Sequence, residues 1–218
     1  MAIDEVLMTS QENQNALPTL RFYRWSSPAY SIGYFQSVET VLKRFDCAKK
    51  KISVVRRLTG GGLVFHGEDL TFSLSMKNPN PFFAGDVKDS YLKVNEALRV
   101  GIQEAFQGLD YADCKTVPSG RATNERVCFE APSCYDLLLK GKKVVGASQR
   151  RLGEAILHQS SVFLDNKHSA LEKNIQAGFE RVWKINFKEM PLTQEELNKA
   201  GKKEKERYAN PEWAFLIS

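Results

Sequence analysis

The sequence predicts an α+β fold: a mixed, mostly antiparallel β-sheet packed against helices, in a single domain over residues 1–218. Three observations predict it. Short runs of β-branched and aromatic residues recur between turn residues in two blocks, TLRFYRW to DLTFSLSM and CYDLLLK to AILHQSSVFLD, which is strand patterning. Apolar residues at helical spacing dominate the stretch between those blocks and the C-terminal part. No internal repeat, low-complexity tract or linker divides the chain, so strands and helices belong to one layered unit.

Taken in order, Ile3, Val6 and Leu7 place a helix over residues 3 to about 11. TLRFYRW and YSIGYF read as strands separated by the Ser-Ser-Pro turn at Ser26–Pro28. Ser37 is an N-cap for a helix through Lys50, with Val38, Val41, Leu42 and Phe45 on one face. ISVVRR is a strand by its β-branched residues. LVFH and DLTFSLSM are expected to form a hairpin turning at Gly67 and Glu68. The longest helix spans Val87 to Gln107, striped by Tyr91, Val94, Leu98, Ile102 and Phe106, and stops at Gly108. YADCKTVPSGRATNERVCFE is a polar loop of a length that often carries function. CYDLLLK, KVVGASQRR and AILHQSSVFLD form a three-stranded meander with turns at Lys-Gly-Lys and near Gly153. A helix from Ser169 to Lys184 follows, and Thr193 with Glu196 makes a capping box for a final helical tail.

Hydrophobic residues make up 42% of the chain and charged residues 26%, the balance of a globular protein rather than a disordered or fibrous one. No apolar run reaches the roughly 20 residues that span a bilayer, and MAIDEVLMTSQ lacks a signal-peptide core, so a cytoplasmic protein without membrane attachment is expected. Cys47, Cys114, Cys128 and Cys134 include no CxxC pair, which suits reduced thiols better than a disulfide framework or a metal site. The net charge of +5, densest at Lys140–Lys143 and Gly201–Arg207, fits an acidic protein partner; no nucleic-acid-binding signature accompanies it.

The stretch most loaded with chemistry is VRRLTGGGLVFHGEDLTFS. Three successive glycines permit positive φ and close approach to a ligand, but neither GxxxxGK[ST] nor GxGxxG opening a helix is present. Read singly, Arg56 and Arg57 could be surface charges and His66 a satisfied strand-end histidine. RRLTGGGLVFH and GKKVVGASQ together resemble the two signature motifs of the lipoate-protein ligase, octanoyltransferase and biotin ligase superfamily, RRxTGG and GxKxxGSAQ. CFEAPSCYDLLLKGKK is similar to the CFxAPSxYE block of its cysteine-dependent octanoyltransferases. RFYRWSSPAYSIGYFQ and the closing LTQEELNK...KERYANPEW also resemble that subgroup, so the likeness covers nearly the whole chain.

The resemblance implies a biotin/lipoate ligase-like catalytic domain. It implies transfer of an octanoyl group from acyl carrier protein to an enzyme cysteine, then to a lysine of a lipoyl domain or a glycine cleavage H-type protein. Neither cofactor nor metal is expected, and no ATP, because the incoming thioester is already activated. Cys128 matches the nucleophile; a free thiol with a pKa near ~8.5 is only a few per cent thiolate at neutral pH unless a cation lowers it. Lys143 matches the lysine of GxKxxG and would be that cation and a hydrogen-bond donor to the thioester carbonyl, a contact worth about 3–4 kcal/mol. Arg57, Gly60, Gly61 and Gly62 would wall the acyl pocket, with His66 at its rim and Gly146 packed beside it. Val64 and Tyr34 would help line an apolar tunnel, where each buried CH₂ contributes about 0.8 kcal/mol. Cys134, Cys47, Cys114, His158 and His168 are read as structural.

The chain departs from the subgroup in three places. LHQSS stands where LQHGS is usual, so His158 and Gln159 are exchanged and a polar contact to the substrate is expected to differ. GASQ replaces GSAQ, a swap of small residues. MAIDEVL matches a motif that usually follows a first strand, so either the sheet edge is open or the start lies upstream. The alternative activities are an ATP-dependent lipoate ligase, an amidotransferase between lipoyl proteins, and a non-catalytic carrier-binding module.

Overall fold

The structure, a computed structural model, describes residues 1–13, 16–83, 85–115, 117, 127–164 and 170–215. In chain order the elements are α1 (Ala2–Ser10), β1 (Thr19–Tyr23), β2 (Ala29–Ile32), α2 (Val38–Phe45), α3 (Cys47–Lys50), β3 (Ser53–Arg56), β4 (Val64–His66), β5 (Leu70–Lys77) and α4 (Val87–Ile102). There follow β6 (Leu109–Tyr111), β7 (Leu137–Leu139), β8 (Lys142–Lys143), β9 (Val145–Leu152), β10 (Ala155–Val162), α5 (Leu171–Trp183), α6 (Gln194–Lys203) and α7 (Pro211–Ala214), with a π-helical turn over Glu204–Tyr208.

The fold is α+β, as the sequence predicts. A four-stranded antiparallel sheet runs β1-β5-β10-β9. On β5 the period of two sends Leu70, Phe72, Leu74 and Met76 to one face, where they pack with Val94, Leu98, Ile175 and Phe179 of α4 and α5. Thr71 and Ser73 take the other face, which α1 covers, and there Ser73 donates to the buried Asp4 carboxylate. The α4–α5 contact depends on two glycines that face each other. A Cβ on Gly101 would collide with the Asn174 carbonyl oxygen, and one on Gly178 with that of Ala97.

A second sheet, β3-β2-β4, pairs β2 with β3 in parallel and with β4 antiparallel. It buries Tyr30 and Ile32 against Val38, Val41 and Cys47. Ser37 caps α2 as expected, accepting from the Thr40 amide, but the helix breaks at Asp46, which is left-handed (φ 49°), before the short α3. Helix α4 carries an Asp86–Asp89 capping box and ends at Ile102, earlier than the predicted Gln107; Gly108 has the expected positive φ of 87°. Helix α6 opens on the expected Thr193–Glu196 box.

Three expectations are corrected. LVFH and DLTFSLSM do not form a hairpin: β4 pairs with β2, whereas β5 pairs with β1 and β10. The chain crosses between sheets at Gly67–Asp69, where the Asp69 carboxylate accepts from the Gly67 amide, the Thr71 hydroxyl and the His66 ring. The meander splits at Val144, because β7 and β8 join β6 in a third sheet while β9 and β10 lie in the first. Cys114 and Cys134 are paired in a disulfide rather than reduced, their Cα atoms 4.4 Å apart. The β6–β7 register, Tyr111 opposite Leu137, brings these two positions face to face when it is continued toward the loop. Most of that polar loop, and His168, fall outside the described residues.

Arg56 and Arg57 at the end of β3 are buried, not surface charges. Arg56 donates to the carbonyls of Tyr34 (2.7 Å), Gln36 (2.7 Å) and Ala214 (2.6 Å), joining the second sheet to the C-terminal helix. Because the α4–α5 backbones touch at glycine, Gly178→Ala is expected to cost about 1–3 kcal/mol by overpacking, read as a lower urea midpoint with an unchanged m-value.

Candidate active site

Four stretches meet at the junction of the two sheets: β2, the loop 57–63 with β4, the segment around Cys128, and the start of β9. Between them lies a narrow recess. Of the residues singled out in the sequence, Arg57, Val64, His66, Cys128 and Gly146 line it.

Cys128 is held by its own backbone. Its amide donates to the Leu63 carbonyl at 2.8 Å, and Val127 bridges Leu63, so the glycine loop and the cysteine segment are one unit. The Lys143 ammonium donates to Cys128 Sγ at 3.5 Å and pairs with the Asp136 carboxylate at 2.6 Å. Only 3% of the Lys143 side chain and 9% of that of Asp136 are exposed, so the pair is a buried one whose loss on either side would strand a charge. The Lys143 ammonium also lies 5.4 Å from the centre of the Phe129 ring, and the lysine is not among the residues lining the recess. Gly146 is required by this packing: a Cβ there would stand 3.0 Å from Cys128 Sγ and 2.7 Å from the Phe129 ring.

The glycines act differently from the expectation. Gly60, Gly61 and Gly62 are not among the residues lining the recess. Their loop instead supplies acceptors to Arg57, whose Nη2 donates to the carbonyls of Gly60 (2.6 Å) and Gly62 (2.7 Å). Arg57 Nη1 donates to the Ser31 carbonyl (3.0 Å) and Ser31 Oγ (3.1 Å). Burial lowers the Arg57 pKa from the ordinary guanidinium value, and the group remains charged at neutral pH regardless. Gly61 needs to be glycine, at φ 85° with Arg57 Nη2 against the space a Cβ would take, whereas a Cβ on Gly60 would meet nothing within 4 Å. His66 is not at a rim but 2% exposed, stacked under Trp25 at 4.0 Å. Tyr34 lies away from the recess, between Trp213 and Arg150.

The exchange in LHQSS is explained by strand alternation. Opposite Leu74, His158 points to the helix-covered face and stacks near Phe72, while Gln159, opposite Ser73, turns toward the recess. Gln159 accepts from Thr59 Oγ1 (2.8 Å) and donates to Asp4 (2.8 Å). The buried His158 has its pKa pushed down to about 3 by desolvation. Ser31, Asp69 and Asp136 are among the polar residues that the sequence reading did not single out. Asp136 had a signal, since it occupies the acidic position after tyrosine in CFxAPSxYE; Ser31 and Asp69 come to the site only through sheet pairing and the crossover. Among the described residues no grouping of His, Cys, Asp and Glu could hold a metal ion.

Two sheets with helices on the outer faces, meeting at a narrow recess that exposes a cysteine backed by a buried lysine, define an α+β catalytic domain of the lipoate-protein ligase type. The chain belongs to the lipoyl protein ligase A/B catalytic domain family, which it matches over residues 1–188. It is 36% identical over 167 residues to the octanoyltransferase LipM of Carboxydothermus hydrogenoformans, across 75% of this chain and 60% of that protein. To the octanoyltransferase LipM of Halalkalibacterium halodurans it is 35% identical over 218 residues, across 93% and 79%. The chain thus spans about 60% of the length of the first of these relatives and more of the second. A bipartite lipoate protein ligase from Thermoplasma acidophilum has the same fold, with a TM-score of 0.77 at 22% identity over 100% of this chain and 91% of that one. Lipoate-protein ligase A bound with ATP gives 0.78 at 22% identity, over 100% and 93%. No helix among the described residues is long and apolar enough to cross a membrane.

Two outcomes follow from this geometry. Gly146→Ala should drive Cys128 and Phe129 aside, costing about 1–3 kcal/mol and changing the rate at which Cys128 reacts with a thiol reagent at fixed pH. His158 is held below the ordinary 6.5, so the unfolded chain takes up the proton first as pH falls. The stability involved is present above about pH 6.5 and is lost toward pH 3, at up to about 1.4 kcal/mol per unit. His158→Phe should flatten that part of the acid slope in urea midpoints measured at pH 7 and pH 5.

Proposed function

We propose that this chain is an octanoyltransferase that carries the acyl group as a thioester on Cys128. The observation that carries the reading is the 3.5 Å hydrogen bond from a buried lysine ammonium to the sulfur of a half-buried cysteine at the mouth of a recess. The similarity to octanoyltransferases across two thirds or more of the chain supports the same activity.

In this reading Cys128 attacks the thioester of an octanoylated acyl carrier protein, and Lys143 stabilises sulfur as it takes on or gives up negative charge. Asp136 holds the Lys143 ammonium aimed at the sulfur, so that the lysine acts there as a donor. The acyl chain enters past Val64 and Gly146, while Arg57 and the glycines Gly60, Gly61 and Gly62 hold the wall in place. A lysine of a lipoyl domain or of a glycine cleavage H-type protein then attacks the Cys128 thioester and leaves as the amide. The transfer requires no ATP, because the free energy of the incoming thioester drives both steps. The net charge of +5 would favour encounter with acidic carrier proteins.

Purified chain mixed with octanoyl-acyl carrier protein in the absence of ATP should gain one hydroxylamine-labile octanoyl group by intact-protein mass spectrometry, and Cys128→Ser should gain none. An unmodified wild type, together with lipoyl-domain modification only when ATP and free octanoate are supplied, would identify a ligase instead. Lys143→Ala should slow formation of the adduct by about 10²–10³-fold, the scale for removing one donor from developing charge.

A further inference from the structure

We propose that Ser31, His66 and Asp69 form a proton relay into the recess, which takes the proton from the amine that accepts the acyl group. This rests on the thioester reading above and goes beyond it, by supplying the base that the cysteine and lysine do not.

The three side chains make one directed chain: Ser31 Oγ lies 2.7 Å from His66 Nε2, and His66 Nδ1 lies 2.9 Å from Asp69 Oδ2. Its polarity follows from the groups at the two ends. Arg57 can only donate, and its Nη1 donates to Ser31 Oγ at 3.1 Å, which turns the hydroxyl proton toward His66. The Asp69 carboxylate can only accept, and takes the Thr71 hydroxyl (2.8 Å) and the Gly67 amide (3.2 Å) besides the imidazole. His66 is therefore protonated on Nδ1 and presents the Nε2 lone pair to Ser31. Trp25, stacked on the ring with planes 17° apart and anchored by its own N–H to Thr71 Oγ1 (3.0 Å), prevents the imidazole from turning over. The same order of hydroxyl, imidazole and carboxylate, with the same tautomer, moves protons in serine hydrolases. Here the hydroxyl sits on a regular strand, β2, and shares the recess with Cys128.

The second half of the reaction needs such a base. A lysine side chain has an ordinary pKa of about 10.4 and must lose a proton to attack. Lys143 is committed to Asp136 and the sulfur as a donor, and His158 faces the helices. Burial, together with Arg57 and the N-terminal amine, keeps His66 below the usual 6.5 despite Asp69, so it is neutral and able to accept. In the step itself, the amine nitrogen bonds to the thioester carbon and its proton passes to Ser31 Oγ as the Ser31 proton passes to His66 Nε2. Asp69 stabilises the imidazolium. The C–S bond then breaks, the Cys128 thiolate is received by Lys143, and the relay returns the proton to sulfur or solvent. The net products are amide and thiol. An acceptor that arrives as an ammonium releases one further proton to solvent.

Two experiments test this. Octanoylated enzyme is mixed with methoxyamine, a weakly basic amine largely unprotonated at pH 5–8, and loss of the adduct is followed by intact mass. The charged groups around His66 are Asp69, Arg57 and the Met1 amine, with Tyr23 and Cys128 lining the same recess; burial lowers the Met1 amine as well, so a bend is assigned to His66 only if His66→Gln removes it. The wild-type rate should fall as pH drops through the His66 pKa. Ser31→Ala and Asp69→Asn, checked for folding by circular dichroism, should be slower by about 10²-fold and lose the bend. A Ser31→Ala rate within twofold of wild type with the same bend overturns the proposal. The imidazole ¹⁵N spectrum of the free enzyme, assigned by His66→Gln, should show Nδ1 protonated and Nε2 bare at pH 7.5; a protonated Nε2 overturns the relay. This second measurement needs no acyl donor, so a wild type that takes no octanoyl counts against the thioester reading while the spectrum still decides the relay.

Discussion

The guanidinium of Arg57 is the group on which the site depends. Among the described residues no carboxylate pairs with this buried charge, which is solvated by the carbonyls of Ser31, Gly60 and Gly62 and by the Ser31 hydroxyl. Backbone dipoles can carry a buried charge only if they are held in place, so the loop that follows β3 has one geometry rather than many. That geometry fixes Leu63, whose carbonyl anchors the Cys128 amide. It also fixes the direction in which Ser31 points its proton. The triple glycine is a consequence of the same requirement: a loop that must fold its carbonyls back onto a side chain of its own needs positive φ at Gly61 and closeness to Gly33, where a Cβ would strike the Gly61 carbonyl.

Behind the cysteine a buried ion pair repeats the principle with a different chemistry. Lys143 and Asp136 neutralise each other, and the remaining donor capacity of the ammonium is directed at Cys128 Sγ. Asp136 is in turn tied to the loop before it, since its carboxylate accepts from the Ser133 amide and its backbone pairs with Ala112. The Cys114–Cys134 disulfide closes the same corner. The lysine, the acid and the turn that holds the acid thus form one rigid support under the thiol.

Much of this was legible in the sequence, because helices and strands are written locally. The Thr193 capping box, the Ser37 cap and the alternation of LTFSLSM all appear where they are read. What was not legible is sheet membership. Nothing in LVFHGEDLTFS says that the chain changes sheets at Asp69 instead of turning back, since a Gly-Glu pair suits either. The meander fails for the same reason at Val144, a single residue whose amide goes to Leu137. Cys128, Lys143, Arg57, Val64, His66 and Gly146, which the family resemblance implies, lie together. Ser31 and Asp69 were not legible, because an isolated serine in YSIGYF carries no local mark of facing a histidine 35 residues away.

The C-terminal segment gives Arg56 its meaning. The catalytic-domain family pattern matches residues 1–188, yet the carbonyls of Trp213 and Ala214 are acceptors for this fully buried guanidinium, and the Trp213 indole donates back to the Arg56 carbonyl at 2.9 Å. Earlier in the same segment Lys203, Arg207 and Tyr208 converge on Glu5 of α1. The edge of that domain pattern and the edge of the hydrogen-bonded unit therefore fall at different places in this chain. A fragment cut where the family pattern stops would retain every residue of the recess and still leave Arg56, the immediate neighbour of Arg57, with part of its solvation removed.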